Sequence, residues 1–200
     1  MIATLIISFI SAILMNNVIL MQTLGICPFL GVSKKVSSAV GMGAAVTFVL
    51  VIATALTWPI YHLILAKLDI AYMDTIVFIL VIASIVQLVE MVIKKTSKGL
   101  YKALGVYLPL ITTNCCVLGV AQGNISNGYN YGQSLLIALA TGLGFLLVMF
   151  LFSTIRGRLD SGNATKSFKG APLALITAGL LALAFLGFSG MFSVFSAWNI

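Results

Sequence analysis

The chain has 200 residues, of which 61% are hydrophobic and 8% charged, with a net charge of +7 and a mean hydropathy of +1.17. Soluble domains carry about 25% charged residues, so this composition excludes a soluble globular fold and predicts an integral membrane protein. The basic residues sit in short clusters between apolar blocks, which excludes a nucleic-acid surface, and three cysteines without regular short spacing exclude a disulfide framework.

A helix needs about 20 apolar residues to cross a bilayer. Six blocks qualify: 2–24, 37–66, 72–93, 103–121, 133–155 and 171–197. The first lacks a basic leader and a small-residue cleavage site, and is too long for a signal-peptide core, so it reads as a retained membrane helix. The second is long enough to tilt, or to bend at Trp58-Pro59, because proline withdraws one backbone donor and crowds the preceding turn.

Charge sorting predicts the orientation. Lys34 and Lys35 follow the first block, and Lys94, Lys95, Lys98 and Lys102 follow the third. Arg156, Arg158, Lys166 and Lys169 follow the fifth, which leaves only Lys67 of the eleven basic residues on the opposite side. Basic loops stay cytoplasmic. Loops 34–35, 94–102 and 156–169 are therefore expected inside, with both termini outside.

Six spans divide into two sets of three, so a duplication would insert its second copy upside down. The sequence carries the echo. Cys27-Pro28-Phe29-Leu30-Gly31-Val32-Ser33 and Cys115-Cys116-Val117-Leu118-Gly119-Val120-Ala121 both read C-x-x-L-G-V followed by a small residue. Gly41-Met42-Gly43 and Gly142-Leu143-Gly144 form a second echo, each running into an apolar stretch. The expected fold is an all-α membrane protein of six helices. Residues 1–98 and 99–200 form inverted three-helix repeats, with interrupted half-helices carrying the cysteines.

Inverted repeats place functional sites near the bilayer midplane, on broken helices. Gly25 and Pro28 flank Cys27, while Thr112, Thr113 and Asn114 precede Cys115 with side chains able to bond freed backbone groups. A lone buried cysteine packs as a small hydrophobe. The repeat separates Cys27 and Cys115 from that background and leaves Cys116, which aligns with Pro28, without a partner. Two thiols are half of a tetrahedral zinc site or of a [2Fe–2S] cluster. His62, Asp69, Asp74 and Glu90 do not complete either, so a second subunit is expected to supply the other half.

Other polar residues have plainer readings. Asn16 and Asn17 either bond helix to helix or line a polar route, and Glu90 is spaced to pair with Lys94. The Gly-x-Gly pairs are not nucleotide loops, because no strand precedes them and the third glycine is absent. They are expected to let helices approach closely. His62 is expected at the interface. No motif for binding NAD or flavin is legible, so no complete active site is expected in this chain.

The runs LMNNVILMQTLGICPFLGVSKK (14–35), LGVYLPLITTNCCVLGVA (104–121) and KGAPLALITAGLLALAFLGFSG (169–190) resemble the A-type membrane subunits of Rnf electron-transport complexes over essentially the whole chain. The E-type subunits of sodium-translocating NADH:quinone reductases are similar but match less well at CPFLGVSKK. The resemblance implies a bacterial or archaeal inner-membrane complex that passes electrons between ferredoxin and NAD, coupled to Na+ or H+ movement. It also implies an oppositely oriented paralogous partner, further flavin- and iron–sulfur-carrying subunits, and one intramembrane [2Fe–2S] cluster to which each paralogue gives two cysteines. The family's cysteines fall on Cys27 and Cys115, with Gly25, Pro28, Thr113 and Asn114 around them. At the next position the family commonly has alanine, so Cys116 departs from its pattern. A non-redox secondary transporter or channel is the rival class, in which the cysteines merely pack and Thr112, Thr113 and Asn114 handle the substrate.

Overall fold

The computed structural model describes residues 9, 13, 17–33, 35–65, 73–96, 111, 114–160 and 170–197. Every regular element among them is helical: α1 (Val18–Gln22), α2 (Ile26–Val32), α3 (Val36–Ile60), α4 (Asp74–Thr96), α5 (Cys115–Ser126), α6 (Tyr131–Asp160) and α7 (Ala171–Ala197). A π-helical turn, Tyr61–Leu65, extends α3.

Two of these helices form the centre. With its π turn, α3 runs 30 residues at a mean hydropathy of 2.2, and α6 is apolar over 29 residues at 2.6. At about 1.5 Å per residue, each exceeds the roughly 30 Å hydrocarbon layer. Met42, Val46, Val49 and Leu50 of α3 are buried with Phe145, Val148, Met149 and Phe152 of α6. Large apolar side chains also face outward, among them Leu80, Leu180 and Leu183. A helix that is apolar all round has lipid for its outer solvent.

Glycine sets the approach of α3 to α6. A Cβ on Gly43 would stand 3.0 Å from the Leu146 backbone, and one on Gly142 would stand 2.9 Å from the Thr47 backbone. The two contacts are reciprocal, each helix offering a glycine to the other four residues from where it receives one. Gly144 lies as closely against Ile13 and Asn17, whereas Gly41 meets nothing within 4 Å. Of the four glycines expected to admit a neighbouring helix, three do so. Backbones can come this near only where no side chain stands between them.

Side-chain bonds sort the helix ends. Arg156, late in α6, reaches Leu30 and Ser33 at the end of α2. At the opposite end of the bundle, the Trp58 indole donates to the Tyr129 carbonyl at 2.9 Å and Gln122 Nε2 donates to Thr75 Oγ1 at 3.3 Å. The C-terminal ends of α2 and α6 thus share one end of the bundle. The α5–α6 connection shares the other with the end of α3 and the start of α4.

Several boundaries differ from those read off the sequence. The helix of the second block continues through Pro59 and widens into the π turn just after it; one lost donor shifts the hydrogen-bond register without ending the helix. Helix α5 runs to Ser126, so the connection to α6 is 127–130, shorter than the gap 122–132 left between the fourth and fifth apolar blocks. Arg156 lies inside α6, 7% exposed, and is not a loop residue. Asn16, Lys34, Lys67, Asp69, Lys98, Lys102, Thr112, Thr113, Lys166 and Lys169, together with the side chain of Lys94, lie outside the described residues; Glu90 is half-buried in α4.

Candidate functional site

The segment before Cys27 breaks in a defined way. Asn17 caps α1, its Oδ1 accepting from the Ile19 N–H at 3.1 Å. Its Nδ2 donates across the bundle to the Gly144 carbonyl at 2.9 Å, which selects the helix-bonding reading of this residue. The helix then closes at Thr23, where φ is +54°, and the Leu24 N–H returns to the Val18 carbonyl. A β-branched residue with left-handed φ is strained, and such strain concentrates at functional positions. Gly25 follows at φ +81° and turns the chain into α2.

The second cysteine segment starts its helix on an asparagine cap, as α1 does and α2 does not. Asn114 is extended, and its buried Oδ1 accepts from the Cys116 N–H at 3.1 Å, opening α5 at Cys115. Asparagine is a favoured cap because its side chain replaces the missing helical acceptor.

The two breaks meet. The Gly25 N–H donates to Cys115 Sγ at 3.0 Å. A Cβ on Gly25 would lie 2.8 Å from the Phe145 ring, 3.3 Å from Cys116 Cβ and 3.4 Å from Asn114 Oδ1. Only glycine fits there, on grounds of both φ and space. One turn along the same face of α5, a Cβ on Gly119 would fall 2.5 Å from Leu24 Cδ1, so the second motif's glycine seats Leu24. Its counterpart Gly31 has nothing within 4 Å.

The three thiols have different surroundings. Cys27, in the first turn of α2, is exposed; Cys115 is half-buried; Cys116 is fully buried. Pro28 is buried beside Cys27, where its missing N–H costs nothing in a first turn. The structure therefore brings Gly25, Cys115 and Asn114 together and sets Cys27 on the same turn of chain, while Cys116 packs in the core. No group of three or more His, Cys, Asp and Glu side chains gathers among the described residues. His62 stacks on Trp58 with ring centres 4.0 Å apart, far along the chain from these thiols.

One contributor escapes sequence reasoning. Charge sorting groups Arg156 with the basic loop residues, yet it bonds to the helix that carries Cys27. Its position immediately after an apolar run is the available signal.

Fold and site together define a class: an α-helical membrane protein in which the turn between α1 and α2 meets the start of α5 at a thiol-bearing junction. The sequence profile of the Rnf-Nqr subunits, described as membrane proteins, matches residues 5–192. The chain belongs to that family. It is 58% identical over 188 residues to the A-type subunit of the Na(+)-translocating ferredoxin:NAD(+) oxidoreductase complex of Acetobacterium woodii, covering 94% of this chain and 98% of that one. It is 57% identical over 178 residues to the A-type subunit of the ion-translocating oxidoreductase complex of Azoarcus sp., covering 89% and 92%. The corresponding subunit from Serratia proteamaculans is 53% identical over 183 residues, covering 92% and 95%.

Proposed function

We propose that this chain is the A-type membrane subunit of an ion-translocating ferredoxin:NAD+ oxidoreductase, and that Cys27 and Cys115 give two of the four ligands of an intramembrane [2Fe–2S] cluster. An oppositely inserted paralogous subunit gives the other two. When bound, such a cluster supplies a one-electron carrier between redox centres on the two sides of the bacterial or archaeal inner membrane.

The observation that carries the reading is the Gly25 N–H bond to Cys115 Sγ, which ties the turn bearing one thiol to the sulfur of the other. The donor set suits the group. Thiolates without nearby carboxylates are soft ligands, the two thiols in question are the accessible ones, and N–H donors onto ligand sulfur are among the features that set a cluster's potential. A half-site open on its Cys27 side agrees with a partner completing it.

The remaining residues hold this arrangement. Asn114 fixes where α5 begins, and Gly25 keeps the two breaks in contact. The reciprocal glycine contacts of α3 and α6 support an inverted three-helix repeat, 1–98 and 99–200. The ends of α2 and α6 lie at one end of the bundle, which supports placing the basic loops that follow them in the cytoplasm and both termini outside. Coupling to Na+ or H+ then lies in the packing of the broken helices, which a change of charge at the thiols would alter.

Iron and acid-labile sulfide analysis of the purified complex tests the assignment. Cys27→Ala should remove one cluster's worth of both and stop electron transfer. Full electron transfer in that variant would overturn the reading.

A further inference from the structure

Helix α2 has seven residues, bounded by Gly25 and Ser33. Isolated helices shorter than about 12–15 residues are marginal, so what keeps α2 in place must come from its neighbours. One neighbour is α6, which grips it at successive levels. Phe152 stacks on Phe29 with ring centres 4.1 Å apart. One turn later, Arg156 Nη1 donates to the Leu30 carbonyl at 2.9 Å and to Ser33 Oγ at 2.6 Å. The Leu30 carbonyl is among the last four of α2, which find no donor within the helix.

A buried guanidinium is a costly way to close a bundle. Removing a cation from water costs several kcal/mol, and apolar replacements of buried ionic groups are often neutral or stabilising. Packing alone does not call for arginine at a position that is 7% exposed. What arginine adds is a planar donor that engages two oxygens at once, together with a fixed positive charge.

We propose that Arg156 is a positioning residue for Cys27: its guanidinium clamps the end of α2 and sets a positive charge about one to two helical turns from the thiol. Leu30 stands three residues after Cys27, on the next turn of the same helix. The clamp holds the sulfur in register with the Gly25–Cys115 junction, and the charge favours the more negative state of whatever Cys27 ligates. The proposal rests on Cys27 being a cluster ligand, and the test separates the two ideas.

Arg156→Gln, Arg156→Lys and Ser33→Ala are introduced into the intact complex. One readout is the midpoint potential of the paramagnetic iron–sulfur signal that Cys27→Ala abolishes. The other is hydrogen exchange of the 26–33 backbone in complex carrying Cys115→Ala, which cannot complete the site. Arg156→Gln should move the midpoint to a more negative potential and speed exchange of 26–33 several-fold. Arg156→Lys should restore the potential, since charge returns, while leaving exchange raised because the shorter lysine side chain does not carry its nitrogen to both oxygens that Nη1 reaches. Ser33→Ala should raise exchange alone. Wild-type potential and exchange in Arg156→Gln would overturn the proposal. If that variant does not assemble, unchanged exchange in Ser33→Ala overturns it instead. If no signal depends on Cys27, the ligand reading fails, and the exchange measurement still decides the clamp.

Discussion

The Gly25 amide hydrogen points at Cys115 Sγ across 3.0 Å, joining residues 90 positions apart. Both partners stand at a helix start: Gly25 is left-handed at φ +81° just before α2, and Cys115 is the first residue of a helix that begins inside the chain's apolar interior. Each break exposes backbone groups that would be costly in lipid. Meeting at one place, they leave the Gly25 N–H satisfied by the Cys115 sulfur.

Gly25→Ala should disrupt that meeting. A left-handed non-glycine residue costs about 1–2 kcal/mol, and the new Cβ would stand 2.8 Å from the Phe145 ring. A lower melting temperature of the solubilised complex, with loss of bound iron, is the expected result. Adding Phe145→Leu should relieve the clash but not the strain, giving partial recovery.

The adjacent thiols should behave differently. Cys115→Ala is expected to abolish the cluster's paramagnetic signal, because it removes the sulfur that Gly25 orients. Cys116→Ala is expected to keep it and to cost only about 1 kcal/mol for a small cavity, since that side chain is wholly buried and packs. A signal that survives Cys115→Ala and vanishes with Cys116→Ala would reverse the assignment.

The glycine pairs offer a graded test of helix approach. Gly142→Ala would place a Cβ 2.6 Å from Thr47 Cγ2 and 2.9 Å from Thr47 Cα. Overpacking of this kind costs about 1–3 kcal/mol. Gly41→Ala meets nothing within 4 Å and should be neutral, or stabilising by up to about 1 kcal/mol through helix propensity. Equal thermal shifts for the two variants would argue against the observed α3–α6 crossing.

Asn17 joins a cap to a cross-bundle bond. Loss of a capping side chain costs about 1 kcal/mol, and Asn17→Ala also removes the cross-bundle bond to the Gly144 carbonyl. Asn17→Ser should keep a capping oxygen without the cross-bundle donor. Thermal stability of the complex should therefore rank wild type above Ser, and Ser above Ala.

Much of this is legible in the sequence because its causes are local or compositional. The near absence of charge requires lipid, and the apolar run lengths mark α3, α6 and α7 to within a few residues. The C-x-x-L-G-V echo picks out Cys27 and Cys115 from three cysteines without any geometry. Polarity misleads at 122–132, because a helix can carry Gln122 and Asn124 when bonds or burial inside the bundle accommodate them. It misleads again at Arg156, where charge predicts a loop and the side chain finds two oxygens on another helix.

Composition, span lengths and the repeated motif by themselves determined an all-helical membrane chain with two singled-out thiols, because solvent preference and periodicity are properties of residues in order. The tertiary structure decided which helix ends share a face, why Gly25 can be nothing but glycine, that Cys116 is core, and that Arg156 holds α2. Those outcomes depend on approach distances between segments some 90 to 126 positions apart, and such distances are set by packing.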